Sequence, residues 1–331
     1  MFGRLGHVVI GYGRERAIPE SRMMKEEIYS TPACPTISGS LNSERKDDHA
    51  PEYCLSEKLL TVKLYCGLGN QLFQLASGLG TALKLKRLFV VQPGNIFHSH
   101  QHSTDEAVRR IVRSRFILWN RKETSTCRIV QLHSKQYIDI PDCAEKLILM
   151  DGYWQNVGYF SSDLDFVAEQ FASLAADTQE TERIGLHLRL GDYCKLRNRF
   201  HLVTPDYIRR AVSFQLKRGA SRRVDVFTDR DSVEMACCLV DRALHGMGMD
   251  IQVVRDGSDL DDFVRLTAYD HLVGAPSTFS WWASFLHRYV SDRHTVCFPK
   301  QLYNPSCHLS GNEEGFYRAA TKGELLIIDD Q

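Results

Sequence analysis

Leu60, Val62, Leu64 and Cys66 alternate with Thr61, Lys63 and Tyr65, a period of two that predicts a β-strand. The glycine turn Gly67-Leu68-Gly69 follows. Beyond it Leu72, Leu75, Ala76, Leu79 and Leu83 fall on one face of a helix. Leu88–Gln92 reads as the next strand, Ser103–Leu118 as a helix with Thr104 near its start, Lys146–Met150 as a strand and Leu164–Ala175 as a helix. A second series begins at Arg183. Its strands are Ile184–Leu188, Val224–Thr228, Ile251–Val254, His271–Ala275 and Thr295–Phe298. Helical stretches separate them at Pro205–Arg218, Asp231–Leu244, Leu260–Tyr269 and Ser280–Val290.

Strands that alternate with helices imply an α/β fold whose parallel sheets carry helices on both faces. Two such series predict two Rossmann-like domains facing a central cleft, with ligands at the carboxyl ends of the strands. The boundaries read as residues 58–180 and 181–331. Residues 1–57 are rich in Ser, Pro, Glu, Lys and Arg without a sustained period, and read as a poorly ordered or accessory leader. Within them Gly11-Tyr12-Gly13 resembles a nucleotide loop, but Arg16 holds the third glycine position and Pro19 interrupts the helix that must follow.

Composition narrows the class. The 331 residues are 43% hydrophobic and 25% charged, as in an ordinary globular protein, and the formal net charge of zero gives no global pull toward nucleic acid or an acidic membrane surface. No run of about 18 apolar residues occurs, so no membrane-spanning helix is expected. The N-terminus lacks a signal-peptide pattern and the chain has no Asn-x-Ser/Thr acceptor, which points to the cytoplasm, or to the Golgi membrane if an anchor precedes this sequence. The ten cysteines include no Cys-x-x-Cys pair, and Cys237-Cys238 lies in an apolar segment. Free thiols are expected.

The glycine turn lacks a dinucleotide fingerprint. Leu72 stands where the third glycine belongs, and no acidic residue ends the strand near Val91. Either the turn is a tight strand–helix connection, or its backbone N–H groups, with Asn70 and Gln71 beside them, approach a phosphate or sugar. In Ile184–Tyr193 the residues Ile184, Leu186 and Leu188 share one face, while His187 and Arg189 share the other. A guanidinium at a strand's carboxyl end suits a pyrophosphate. The alternative is an Arg189–Asp192 ion pair that locks the loop after Gly191. Ser277, Thr278 and Ser280 precede an apolar helix carrying Trp281 and Trp282, and they either cap that helix or help to form an anion site. Asp229 either accepts from guanine N1 and N2 or caps the helix near Asp231. His98, His100 and His102 alternate in a loop without further ligands, so no metal site is expected.

Taken in order, GLGNQLFQLA, DGYWQNVGYF, HLRLGDY, VFTD and PSTFSWW resemble glycosyltransferase family 11, the α-1,2-fucosyltransferases. The resemblance spans about Leu59 to Pro299. It implies a GT-B-like fold and an inverting transfer of fucose from GDP-β-L-fucose to a galactoside 2-hydroxyl. That transfer needs no metal or other cofactor; the nucleotide sugar and a glycan acceptor are its partners. By resemblance, Arg189 binds the β-phosphate, His187 helps hold the nucleotide, Asp229 lies near guanine, and Ser277, Thr278 and Ser280 line the diphosphate site. Gly67, Gly69, Asn70 and Gln71 cover the sugar phosphate, while Gln155 and Tyr193 face the acceptor. Asp192 is the first candidate for the base, with holding Arg189 as its alternative role. The family usually carries a second arginine where this chain has Leu190. That departure leaves open another nucleotide-sugar donor, or a binding protein without catalysis.

Overall fold

The computed structural model describes residues 29–30, 58–92, 102–118, 127–132, 136–304, 306–307 and 314–329. Most of the leader, with His98 and His100, lies outside these residues. The chain divides into two compact units, Met1–Gln170 and Phe171–Gln331.

The first unit contains β1 (Tyr29–Ser30), β2 (Leu59–Val62), α1 (Leu68–Leu85), β3 (Leu88–Val91), α2 (His102–Arg115), β4 (Ile117–Leu118), β5 (Cys127–Leu132), β6 (Leu147–Gly152) and α3 (Leu164–Glu169). Strand β6 lies between β2 and β5 and is parallel to both, whereas the two-residue β1 runs antiparallel to β2. Strands β3 and β4 pair in parallel, and the Leu88 amide at the start of β3 donates to the Lys58 carbonyl beside β2. All four residues of β2 are buried, Thr61 included. The alternation in the sequence therefore marks a strand covered on both faces, as parallel sheets require. Helix α1 also buries more than its apolar stripe: Gln71, Gln74, Ser77 and Thr81 are all inside. Gly78 and Gly80 permit this. A Cβ at Gly78 would run into Val62 and Phe89, and one at Gly80 into the Tyr159 carbonyl and Phe160.

The second unit is a six-stranded parallel sheet. Its elements are β7 (Glu180–Leu188), α4 (Gly191–Lys195), α5 (Pro205–Lys217), β8 (Arg223–Thr228), α6 (Val233–Leu244), β9 (Asp250–Val253), α7 (Asp259–Leu266), β10 (Tyr269–Val273), α8 (Thr278–Leu286), β11 (Thr295–Pro299), α9 (Glu314–Arg318) and β12 (Glu324–Ile328). The strand order is β12-β11-β10-β7-β8-β9. The chain thus builds outward from β7 through β8 and β9, then returns to the other side of β7 with β10. That reversal leaves a crevice between the loops that follow β7 and β10, the usual ligand position in such sheets. Both units are Rossmann-like, as the alternating pattern implies.

Several elements differ from the sequence reading. The strand β2 stops at Val62, short of Cys66, and the helix expected to reach Leu118 ends at Arg115, leaving Ile117–Leu118 to pair with β3. The helix expected to reach Ala175 ends at Glu169 and is followed by a 3-10 turn at Ala172–Leu174. Strands β5 and β12 and the short helix α4 carried too few periodic residues to be read. The eight described cysteines are free thiols.

A buried polar knot fastens the second unit. His287 Nδ1 lies 2.8 Å from the Thr267 carbonyl, while Nε2 lies 2.7 Å from the Arg293 carbonyl and 3.1 Å from Asp270 Oδ1. These oxygens only accept, so the ring is enclosed by three acceptors. Asp270 also accepts from Gln179 Nε2. The neighbouring His294, stacked on His287 at 4.2 Å, is kept neutral by burial, and His287 acts in the same sense. Removing the ring strands buried acceptors, one of them the Asp270 carboxylate. His287→Phe is therefore expected to cost about 3–5 kcal/mol, read as a lower urea midpoint for the second unit.

Candidate functional site

The crevice beside β7 gathers most of the second unit's candidate residues. Arg189, the first residue past β7, is 28% exposed at its side chain. Its Nη1 donates to Asp229 Oδ1 at 2.5 Å and its Nη2 meets Asp192 Oδ1 at 2.9 Å. Burial disfavours the charge, but the Asp229 and Asp192 carboxylates outweigh it and hold the pKa above the usual arginine value. A guanidinium has five N–H donors, so the fork retains donors beyond these two bonds. Asp229 follows β8, the parallel neighbour of β7. Its second oxygen accepts from the amides of Leu190 (2.9 Å) and Gly191 (2.8 Å). Gly191 permits this approach, since a Cβ there would lie 3.1 Å from Asp229 Cγ.

Leu190 is 3% exposed and packs into the apolar core with Ile184, Leu186 and Leu188. Leu190, where the resemblance implies a second arginine, thus packs into the core on the side away from Arg189. Tyr193, on α4, lies under the guanidinium at 5.8 Å, stacks on Phe200 at 4.1 Å and donates to the Pro276 carbonyl at 3.3 Å. It ties the loop after β7 to the loop after β10. Burial raises its pKa and keeps the phenol protonated.

His187 is the next-to-last residue of β7. Its ring packs on Phe279 at 5.0 Å, and Nδ1 lies 2.6 Å from Ser280 Oγ. Burial and the Arg189 charge lower its pKa, Asp229 acts the other way, and the result is about 4, so the imidazole is neutral at physiological pH. Ser277 is the N-cap of α8 and accepts from the Ser280 amide at 3.2 Å. Thr278 is the first residue of the helix, so its backbone N–H belongs to the first turn. Trp281 and Trp282 are fully buried, as core residues.

In the first unit, the ends of β2 and β6 meet. Cys66 (φ 66°) and Trp154 (φ 52°) are both left-handed non-glycine residues just past these adjacent strands. Such conformations cost roughly 1–3 kcal/mol each and cluster at functional sites. Glutamines hold the strained turn: Gln71 Nε2 donates to the Cys66 carbonyl (2.7 Å), and Gln74 bridges the Tyr65 amide and the Gly152 carbonyl. Gly67 is the N-cap of α1, its carbonyl accepting from Asn70 and Gln71, and Gly69 lies in the first turn. Gln155 Nε2 donates to Asn70 Oδ1 at 2.6 Å, so two residues far apart in sequence stand together. Around them are the edge-on pair Tyr65–Tyr153 and the Lys63–Asp151 ion pair (2.9 Å), with Gln131 on the same carboxylate. Burial and the nearby Asp151 raise the Tyr65 pKa.

Three residues expected at the ligand are engaged within the protein. Gln71 is fully buried and faces its own turn, because the left-handed Cys66 leaves a carbonyl to satisfy. Ser280 is also fully buried and turned toward His187. Asp229 uses both oxygens on Arg189, Leu190 and Gly191. The sequence reading missed Lys63, Tyr65, Asp151 and Tyr153. The polar and aromatic residues at the ends of β2 and β6 were its available signal.

Comparison with protein-family models matches residues 43–306 to Glycosyl transferase family 11. Comparisons with curated proteins and with solved structures returned no match.

Proposed function

The chain belongs to glycosyl transferase family 11, and from that premise we propose that it moves L-fucose from GDP-β-L-fucose to a galactoside 2-hydroxyl with inversion. It is a glycosyltransferase by family, with a sugar donor and an acceptor as substrates. Among the described residues no helix is long and apolar enough to cross a membrane.

The observation that carries the donor assignment is Arg189, held by two carboxylates at the crevice of the second unit. Breaking the fucosyl–phosphate bond leaves negative charge on GDP. A preorganised guanidinium neutralises that charge without reorganising when the bond breaks. The positive dipole end of α8 acts in the same sense. The buried Leu190 supports this reading over a different donor, because the absent second arginine removes no charge from Arg189's side. In the first unit, Asn70 and Gln155 supply amides, and Tyr65 and Tyr153 supply rings, for recognition of the acceptor sugar.

Incubation with GDP-fucose and a panel of galactosides, followed by NMR of the product linkage, tests the proposal. An α-1,2-linked product is expected. Turnover only with another nucleotide sugar, or none with any donor, would overturn it.

The geometry supports the holding role for Asp192. Losing an exposed tether is expected to lower kcat by about threefold to tenfold, whereas losing a general base costs about 10²–10⁴-fold. Asp192→Asn turnover measured across pH decides between them. A tether leaves the pH profile in place, and a base removes its acid limb.

A further inference from the structure

The two nitrogens of the His187 ring have different surroundings. Nδ1 is 2.6 Å from Ser280 Oγ, and Nε2 makes no hydrogen bond among the described residues. Which nitrogen carries the proton follows from the partners of Ser280. Its Oγ accepts from the Ala275 amide at 3.0 Å, and its other hydroxyl neighbour, Ser277 Oγ, is 3.4 Å away. If Nδ1 were protonated, it would donate to Ser280 and fill the second lone pair. The Ser280 proton would then have only the 3.4 Å contact, beyond the usual range for O–H···O bonds. If Nδ1 is bare, that proton enters the 2.6 Å contact, Ser280 is satisfied, and Nε2–H is left to face a ligand.

We infer that Ser280 fixes His187 as the Nε2–H tautomer, so that the end of β7 presents a neutral hydrogen-bond donor to an acceptor atom of the bound nucleotide. The burial that keeps the ring uncharged leaves one proton, and Ser280 decides where it resides. The ligand atom opposite is therefore a phosphate or ribose oxygen, a purine N7 or a keto oxygen. An amino group there would leave two donors facing each other unpaired. Ser280 is a positioning residue that acts through His187 without touching the ligand. The identity of the nucleotide rests on the proposed function; the tautomer does not.

Imidazole ¹⁵N spectroscopy on the full chain, with His187 assigned by comparison with His187→Gln, tests this. A bare Nδ1 and a protonated Nε2 are expected, with the Nε2 resonance moving when GDP is added. A protonated Nδ1, or an Nε2 resonance indifferent to saturating GDP, would overturn the inference. Ser280→Ala is expected to mix the tautomers and weaken GDP inhibition about tenfold, the worth of one hydrogen bond. Weaker inhibition with the wild-type tautomer retained would mean that Ser280 acts only through packing, and would also overturn it. Should Ser280→Ala not fold, His187→Gln and His187→Asn decide: glutamine extends an amide to the Nε2 position and should bind GDP more tightly than asparagine. If no fucose is transferred while the tautomer and GDP response are as stated, the proposed function falls and this inference stands.

Discussion

Arg189→Lys is expected to lower kcat for fucosyl transfer by about 10²–10³-fold, the usual loss for one preorganised charge-stabilising donor. The positive charge survives the substitution, so the effect isolates geometry. In the native site, Nη1 is bound to Asp229 and Nη2 to Asp192, and the remaining guanidinium donors keep a fixed plane. An ammonium can reach one carboxylate or a phosphate oxygen, but it has no rigid fork with which to hold both. The fold should persist, because Arg189 is partly exposed and lies outside the buried cluster of Ile184, Leu186 and Leu188. Steady-state kinetics with GDP-fucose, paired with the thermal midpoint, checks both parts. Near-normal kcat in a folded variant would remove Arg189 from the mechanism.

Much of this site is legible in sequence because strands have a fixed side-chain period. Leu186 and Leu188 enter one apolar cluster, and His187 is buried on the opposite face of the strand, as alternation requires. The Arg189–Asp192 pair, one of two readings of the loop, is also present. Asp229 is harder. Whether it caps a helix, faces a base or binds an arginine depends on which strand lies beside β7, and sheet order is not written locally. The same holds for Ser280, whose partner is 93 residues away. In the first unit, alternation located β2 but not its full burial, since a strand covered on both faces and one half-solvated can share a pattern. The left-handed Cys66 and Trp154 left no trace in residue type, because neither is a residue that prefers that conformation.

Asp229→Asn is expected to reduce kcat/KM by about 10–100-fold while the nucleotide preference is kept, the loss expected for a hydrogen bond to a charged group. Asp229 accepts from Arg189 Nη1, Leu190 N and Gly191 N. Asparagine has one oxygen. If it serves the two amides, its NH₂ faces the guanidinium, donor against donor. If it serves Arg189, the amides lose their acceptor. Either way Arg189 is no longer fixed between two carboxylates, and Asp192, 53% exposed at its side chain, is left to hold it. Inhibition by GDP and by inosine diphosphate, which lacks the 2-amino group, separates this from base recognition. As a clamp on Arg189, Asp229 acts on the diphosphate, so both inhibitors should weaken equally and their ratio stay constant. A ratio that collapses toward one in Asp229→Asn would put its carboxylate on the guanine edge instead.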